Sequence, residues 1–207
     1  MFHGFSLAMK KFALWLCLGA LPFPVCSQVV IPSPDVQIRA AVLAAPEGLR
    51  EGASVLGYDG KGELVVLRKG TNKMICLADD PQNPGFSVSC YPEELEPFME
   101  RGRALKKEGK SFQEIFNQRE EEVKNGKLKM PAHGTTLFVY YANDASAFDT
   151  KTGEVKGGNF RYVVYIPYAT AESTGLPLSP DVPGMPWIMD PGTHRAHIML
   201  NPPAPEK

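Results

Sequence analysis

The sequence predicts an α+β fold, built from an antiparallel β-meander and carboxy-terminal β-strands with an inserted helical hairpin. Four short apolar runs, separated by turn-forming residues, lie between positions 53 and 91. Two apolar stripes at helical spacing follow, within about residues 93–126. Runs rich in aromatic and β-branched residues then return after position 135. Strands and helices segregated in this way are typical of α+β domains.

The amino-terminal segment has the layout of a secretory signal peptide. Lys10 and Lys11 form a short basic patch, and a mostly apolar stretch runs from Phe12 to Val25. Val25 and Ser27 are small enough for the two recognition positions of a signal-peptidase site. We therefore expect residues 1–27 to be a signal peptide and the protein to be exported to the periplasm, the cell surface or the medium.

Three alternatives remain open for this segment. Met9, directly before the lysines, looks more like a natural start than Met1 does. A retained membrane anchor is less favoured than cleavage, because prolines interrupt the apolar run well before the roughly 20 residues that a spanning helix needs. A lipid-modified Cys26 is also less favoured, because that processing requires Gly, Ala or Ser where this chain has Val25.

Residues 28–207 are expected to form a single domain. Removing 27 of the 207 residues leaves 180, a usual size for one hydrophobic core, with 20 basic and 23 acidic side chains. This balance provides no bulk attraction to nucleic acid. Cys76 and Cys90 remain after cleavage, and two cysteines in an oxidising compartment are expected to form a structural disulfide. Free or redox-active thiols are the alternative.

Local signals predict the elements in the first half of the chain. A short helix is expected from Asp35 to Ala44, with Ser33 as its cap, Pro34 at its first position and Pro46 after its end. The meander strands are expected at 53–58, 63–68, 73–78 and 86–91, with the two cysteines on the third and fourth strands.

The helical hairpin and the later strands follow. The second helix of the hairpin has a capping box formed by Ser111 and Glu114, and it ends at Gly126. Each apolar stripe of the hairpin is narrow, so the helices are expected to lie on the sheet with charged faces in water. The remaining strands are expected at 135–142, 160–166, 187–189 and 196–200.

Three histidines are the candidate metal-binding or catalytic residues. They are His133, His194 and His197. Imidazole is a common metal ligand and acid-base group. In an extended strand, the spacing of three would point His194 and His197 to opposite faces, so they converge only if His194 belongs to the preceding turn. Ordinary roles on a strand and in a turn are the competing interpretation. No established catalytic or nucleotide-binding motif is present.

Aromatic side chains crowd the later strands and are the candidate ligand-binding residues. Tyr140, Tyr165 and Trp187 represent them. Tyrosine and tryptophan are enriched at binding surfaces. They are also ordinary strand formers, and alternation turns half of them into the core. Tyr140 and Tyr141 are adjacent, so one of the two must point away from the core.

Several sequence phrases resemble those of uncharacterised exported bacterial proteins. They are Leu67 to Asn72, Phe86 to Tyr91, Val164 to Tyr168, Pro183 to Trp187 and Pro191 to Ile198. The resemblance implies export and a shared fold, but that group has no assigned activity, so it implies no catalytic residue.

The function expected from the sequence is that of an exported, non-enzymatic domain that binds a protein or a small molecule. No cofactor, no nucleic acid and no stable membrane insertion after cleavage are expected. A metal-dependent or histidine-using hydrolase is the alternative. Such an enzyme needs at least two of these side chains within hydrogen-bond reach of each other in a cleft.

Overall fold

The described part of the chain is organised around one eight-stranded sheet. The computed structural model describes Met1 and residues 30–203, apart from the side chain of Ala145, so the expected signal peptide lies almost wholly outside the described residues. The strands are β1 (Ser54–Tyr58), β2 (Leu64–Arg68), β3 (Met74–Leu77), β4 (Phe86–Pro92), β5 (Thr135–Ala142), β6 (Asn159–Tyr165), β7 (Trp187–Met189) and β8 (His197–Leu200). Their order in the sheet is β2-β1-β3-β4-β5-β6-β8-β7.

The first four strands differ from the expected meander in one pairing. β1 lies between β2 and β3, and it pairs with β3 in the parallel direction. The β2–β3 connection crosses the start of β1, where the backbone N–H groups of Thr71 and Asn72 both donate to the carbonyl of Gly52. A Cβ at Gly70 would lie 2.4 Å from the backbone nitrogen of Ser54, so the crossing requires glycine at this position. The other pairings are antiparallel, and the predicted α+β class is confirmed.

The α-helices are α1 (Pro34–Ala41), α2 (Glu96–Lys107), α3 (Phe112–Lys124) and the short α4 (Ala171–Thr174). Shorter 3₁₀ turns occupy Val42–Ala44, Glu47–Leu49, Glu93–Leu95 and Ala145–Ala147. The expected helix at 35–44 is therefore α1 followed by a 3₁₀ turn. The capping box of α3 is confirmed, because Ser111 and Glu114 bond each other's backbone N–H groups. The helical hairpin lies where the sequence predicted it.

Two hydrophobic cores lie on opposite faces of the sheet, because neighbouring residues of one strand contribute to different cores. Cys90 belongs to the core under α1 and the 3₁₀ turn that follows it, and Tyr91 belongs to the core under the helical hairpin. The first core includes Ala40, Ala41, Ala44, Val55, Met74, Cys76, Phe86, Val88, Cys90 and Ala142. The second includes Tyr91, Leu95, Phe98, Leu128, Leu137, Val163 and Tyr165.

The predicted disulfide joins the middle of the sheet. Cys76 on β3 stands directly opposite Cys90 on β4, with their Cα atoms 4.0 Å apart, and the two sulfur atoms are bonded. Both residues are fully buried in the first core. Within the part of the chain that the structure describes, no helix is long and apolar enough to cross a membrane.

Candidate functional site

The three histidines predicted from the sequence occupy different environments. His133 is exposed, just before β5. His194 lies in the turn that precedes β8, and His197 is the first residue of that strand. Both are buried. Among residues 30–203 there is no group of three or more His, Cys, Asp or Glu side chains that could hold a metal ion. The three histidines therefore do not form a shared metal site in this part of the chain.

His194 is tied to the helical hairpin. Its backbone N–H donates to Oε2 of Glu120 at 2.8 Å, and its ring Nδ1 lies 2.5 Å from the same oxygen. Lys124 contacts the other carboxylate oxygen at 2.8 Å. The His194 ring also packs edge-on against Phe116, with the centroids 5.0 Å apart. This contact fixes the turn before β8 against α3.

Burial determines the charge of this pair. Desolvation lowers the pKa of His194, and the hydrogen bond to Glu120 only partly opposes it. Burial alone would raise the pKa of Glu120, but the hydrogen bonds from Lys124 and His194 outweigh it and hold the pKa below its usual range. A neutral ring with the proton on Nδ1 donates to the Glu120 carboxylate. Nε2 is then a buried acceptor without a partner among the described residues.

The His194 side chain has no exposed surface. A substrate would reach this ring only if α3 or the turn moved away. His197 is likewise enclosed: its Nδ1 lies 2.7 Å from the carbonyl of Arg195, and burial lowers its pKa. The geometry is that of a buried polar connection between elements.

The three aromatic candidates also separate. Tyr165 is buried in the second core, with its ring 5.4 Å from that of Phe98, so it is not available to a ligand. This corrects the sequence-based expectation: alternation along β6 turns Tyr165 towards the helical hairpin. Trp187 is half-buried on β7, at the edge of the sheet.

Tyr140 lies on the face of the sheet that carries the first core, within a group of half-buried rings. Its ring centroid is 4.8 Å from that of Phe160, and the rings of Phe138 and Tyr162 stand 5.9 Å apart beside them. The backbone of Gly158 covers part of the Tyr140 ring, since a Cβ at that glycine would lie 2.3 Å from the Tyr140 Cζ. These rings mainly cover one another.

A small cleft provides a more defined site. Three segments form its walls: α1 with the residues just before it, the β3–β4 loop and the β5–β6 connection. Its volume is about 150 Å³. The lining residues are Val30, Pro32, Gln37, Ala40, Asp79, Pro81, Asn83, Gly85, Phe148 and Thr150.

Hydrogen bonds hold the walls in place. Gln37 of α1 donates to the carbonyls of Pro32 and Tyr58 at 2.8 Å and accepts from the Tyr58 N–H at 2.7 Å. Arg39, two residues further along α1, donates to the Thr152 carbonyl at 3.1 and 3.2 Å and so binds the β5–β6 connection to α1. Gln37 satisfies its own amide in this way, so it contributes a fixed wall.

Asp79 is the ionisable side chain of the cleft. Its Oδ1 accepts from the Ser87 N–H at 2.8 Å. Its Oδ2 accepts no hydrogen bond from residues 30–203. The neighbouring Asp80 is used differently: it holds the loop by accepting from Gln82 and Asn83, and it lies 3.3 Å from Lys106.

The environment of Asp79 changes its ionisation. Burial raises the pKa of its carboxyl to about 6; the Ser87 hydrogen bond opposes this, and the nearby charge of Asp80 adds to it. Asp79 forms no ion pair within the described ranges of the chain. A half-buried carboxyl with a raised pKa in a cleft is a recognised mark of a binding or catalytic site.

The sequence interpretation missed Asp79. The segment from Asp79 to Gly85 was assigned to a turn, which is correct for its backbone. The only local signal was the pair of adjacent acids at the end of a predicted strand. Asp79 differs from Asp80 in lining the cleft together with α1 and Phe148, which belong to segments about 40 and 70 residues away.

Comparison with known proteins adds no assignment. The chain matches no protein family, no curated protein and no solved structure. The chemistry of the cleft therefore rests on its own residues.

Proposed function

We propose that this chain is an exported, non-catalytic protein that binds a small ligand in the cleft at Asp79. The observation that carries the proposal is the half-buried Asp79 carboxylate, which lines the cleft and has no cationic partner among residues 30–203. Burial disfavours the charged form of this group, and the Ser87 hydrogen bond offsets that cost only in part. A ligand that pairs with it supplies a reason for its presence.

The construction of the cleft supports a small-molecule ligand. Its walls are pinned by the hydrogen bonds of Gln37 and Arg39, so the site is largely preformed. A cavity of about 150 Å³ accommodates a ring the size of benzene. The mixture of apolar walls and a few polar groups is the usual lining of a ligand pocket.

Export is supported by features outside the cleft. The signal-like segment at residues 1–27 is one, and the Cys76–Cys90 disulfide is the other, since structural disulfides persist in oxidising compartments. Expression of the full chain, followed by mass spectrometry of the exported product, tests this. An amino terminus near Gln28 with the two cysteines bonded supports export, and retention of the intact chain in the cytoplasm contradicts it.

The hydrolase alternative has less support. It depends on His194 and Glu120, which do lie within hydrogen-bond reach, but the His194 ring is enclosed by Phe98, Phe116 and the turn itself. The Asp79 cleft contains no histidine, serine or cysteine among its lining residues to act as a nucleophile or base beside the acid.

A fragment screen tests the binding proposal. Saturation-transfer NMR of residues 28–207 with cationic, anionic and neutral fragments of up to about eight non-hydrogen atoms would identify those that bind. Thr150→Trp should abolish binding, because Thr150 is exposed at the cleft and its side chain is free to be replaced by a ring that fills the opening.

The matched control is Thr71→Trp. Thr71 is also an exposed loop threonine, but it lies at the opposite end of β3 from Asp79. This variant should bind like the unmodified protein. If no fragment is bound, or if Thr150→Trp binds the same fragments unchanged, the proposed site is wrong.

A further inference from the structure

The cleft carries a charge of one sign. Among its ten lining residues, Asp79 is the only ionisable one, and no lysine, arginine or histidine lines the opening. Two basic side chains that contact the segments forming the walls are already engaged: Arg39 with the Thr152 carbonyl, and Lys106 with Asp80. An anionic ligand would therefore meet only repulsion from Asp79.

The cleft also has an apolar part. Val30, Pro32, Ala40 and Phe148 provide hydrocarbon surface, and Phe148 also packs on Phe86, with ring centroids 4.7 Å apart. The Phe148 ring is thus held in position by the first core. An aromatic face near a carboxylate is a common arrangement around ammonium groups, because both attract a cation.

Resting on the proposed function, we infer that the ligand is a small organic cation of about six non-hydrogen atoms. Its ammonium group pairs with Oδ2 of Asp79, and its carbon chain lies against Phe148, Ala40 and Pro32. The pairing supplies the charge partner that residues 30–203 do not provide. It also accounts for a lining that combines apolar side chains with one carboxylate.

A bare metal ion fits this lining less well. Calcium takes six to eight oxygen ligands, usually including several carboxylates. The cleft has one carboxylate, and no group of three possible metal-binding side chains occurs in the described residues. A neutral ligand would leave the ionised Asp79 unpaired.

Calorimetric titration with butylammonium, butanol and butyrate at pH 7.5 tests the inference. The three probes have similar carbon chains and differ in charge. Butylammonium should bind at least tenfold more tightly than butanol, and butyrate should not bind. Asp79→Asn should weaken butylammonium at least tenfold and leave butanol within about twofold, because the amide keeps the shape of the side chain without its charge. Asp181→Asn is the same change at an exposed acid that does not line the cleft, and it should bind butylammonium within about twofold of the unmodified protein.

The pH dependence gives a second readout. Burial raises the pKa of Asp79 to about 6, so butylammonium affinity should increase as the pH rises from 5 to 7. The ammonium group stays protonated over this range. Loss of this increase in Asp79→Asn supports the inference, and the melting temperature of each variant establishes that it is folded.

The failure of this inference is distinguishable from failure of the proposed function. If butanol and other neutral fragments bind in the cleft as tightly as butylammonium, and Thr150→Trp stops them, the site is real and its cation preference is wrong. If calcium chloride alone displaces butylammonium and binds more tightly, the organic cation is wrong. If Thr150→Trp affects no probe, the proposed binding function itself falls.

Discussion

At the residue scale, Asp79 and His194 have opposite effects on how the stability of the protein depends on pH. Burial raises the pKa of Asp79 and lowers the pKa of His194. Asp79 thus holds its proton more firmly in the folded protein, whereas His194 gives its proton up more readily. Asp79 lies in an accessible cleft without a cation, while His194 is enclosed and bonded to Glu120. The first pattern is typical of a binding group, and the second is typical of a structural one.

The free energy of unfolding of Asp79→Asn, compared with that of the unmodified protein, should be higher at neutral pH than at acidic pH. The unfolded carboxyl has a pKa near 3.9, and the folded one is raised to about 6. Its contribution to stability is complete below about pH 4 and is lost as the pH rises through 6. The variant lacks this loss, so its free energy of unfolding should improve relative to the unmodified protein by on the order of 1–2 kcal/mol between pH 4 and pH 7. Urea unfolding at both pH values measures this. A difference that does not change with pH would contradict the raised pKa.

Glu120→Gln should destabilise the protein by about 1–3 kcal/mol at pH 7.5. The Glu120 carboxylate accepts hydrogen bonds from the ring and the backbone N–H of His194 and pairs with Lys124, and the neutral amide weakens these contacts. Glu121→Gln is the matched control: it is exposed on the same helix and should change stability by less than about 0.5 kcal/mol. The depressed pKa of His194 gives the pair a pH dependence as well. Its contribution is present above the unfolded value of about 6.5 and is lost as the pH falls below it. Equal unfolding curves for the two variants would show that the Glu120 contact adds no stability.

At the element scale, the helical hairpin shows how far a local pattern determines packing. Both helices carry apolar residues at helical spacing, and both include a phenylalanine in that stripe, Phe98 and Phe112. Phe98 is 1% exposed and contacts the rings of Tyr165 and His194. Phe112 is 65% exposed, at the first turn of α3, where Arg195 lies over its ring at 4.9 Å. Spacing alone predicts the same burial for both residues. Their different burial follows from how each helix packs on the sheet.

Phe98→Ala should therefore cost about 3–5 kcal/mol in the free energy of unfolding, since it empties the centre of the second core. Phe112→Ala is the same chemical change on the neighbouring helix and should cost less than about 1 kcal/mol. Thermal or urea unfolding of the two variants compares them directly. A loss in Phe112→Ala as large as that in Phe98→Ala would mean that α3 begins in a different position on the sheet.

The sequence predicted most elements because their signals are local. The boundaries of β5 and β7 and the capping box of α3 follow from residues a few positions apart, and the cross-strand cysteines are 14 residues apart on consecutive strands. The parallel pairing of β1 with β3 was missed because an antiparallel hairpin is the default for short connections, and only the close approach of Gly70 to Ser54 permits the crossing. The Asp79 cleft was also missed, because it depends on contacts between distant parts of the chain. Three segments far apart in the sequence must assemble before Asp79, and not Asp80, lines a cleft.

At the scale of the whole molecule, the disulfide and the cleft share one layer. Cys76 and Cys90 lie in the core beneath α1, and Asp79 follows three residues after Cys76, at the end of the same strand. The bond fixes the base of the β3–β4 loop, which forms one wall of the cleft. Formation of this bond would therefore stabilise the fold and hold the loop that carries the proposed ligand-binding carboxylate.

Replacement of both cysteines by alanine should lower the free energy of unfolding by roughly 3 kcal/mol, the value expected from the chain-entropy treatment of a loop of about 15 residues. For a protein of this size, that corresponds to a fall in melting temperature of about 6–12 °C. Treatment of the unmodified protein with a reductant provides the matched comparison, because it breaks the same bond and leaves both sulfur atoms in the core. The reduced protein should melt near the double variant, and the double variant should be insensitive to reductant. Reduction should also affect ligand binding. Because the bond anchors the loop of Asp79, butylammonium should bind the reduced protein more weakly, even at temperatures where that protein is still folded. Identical melting with and without reductant would mean that the sheet, and not the bond, holds β3 and β4 together.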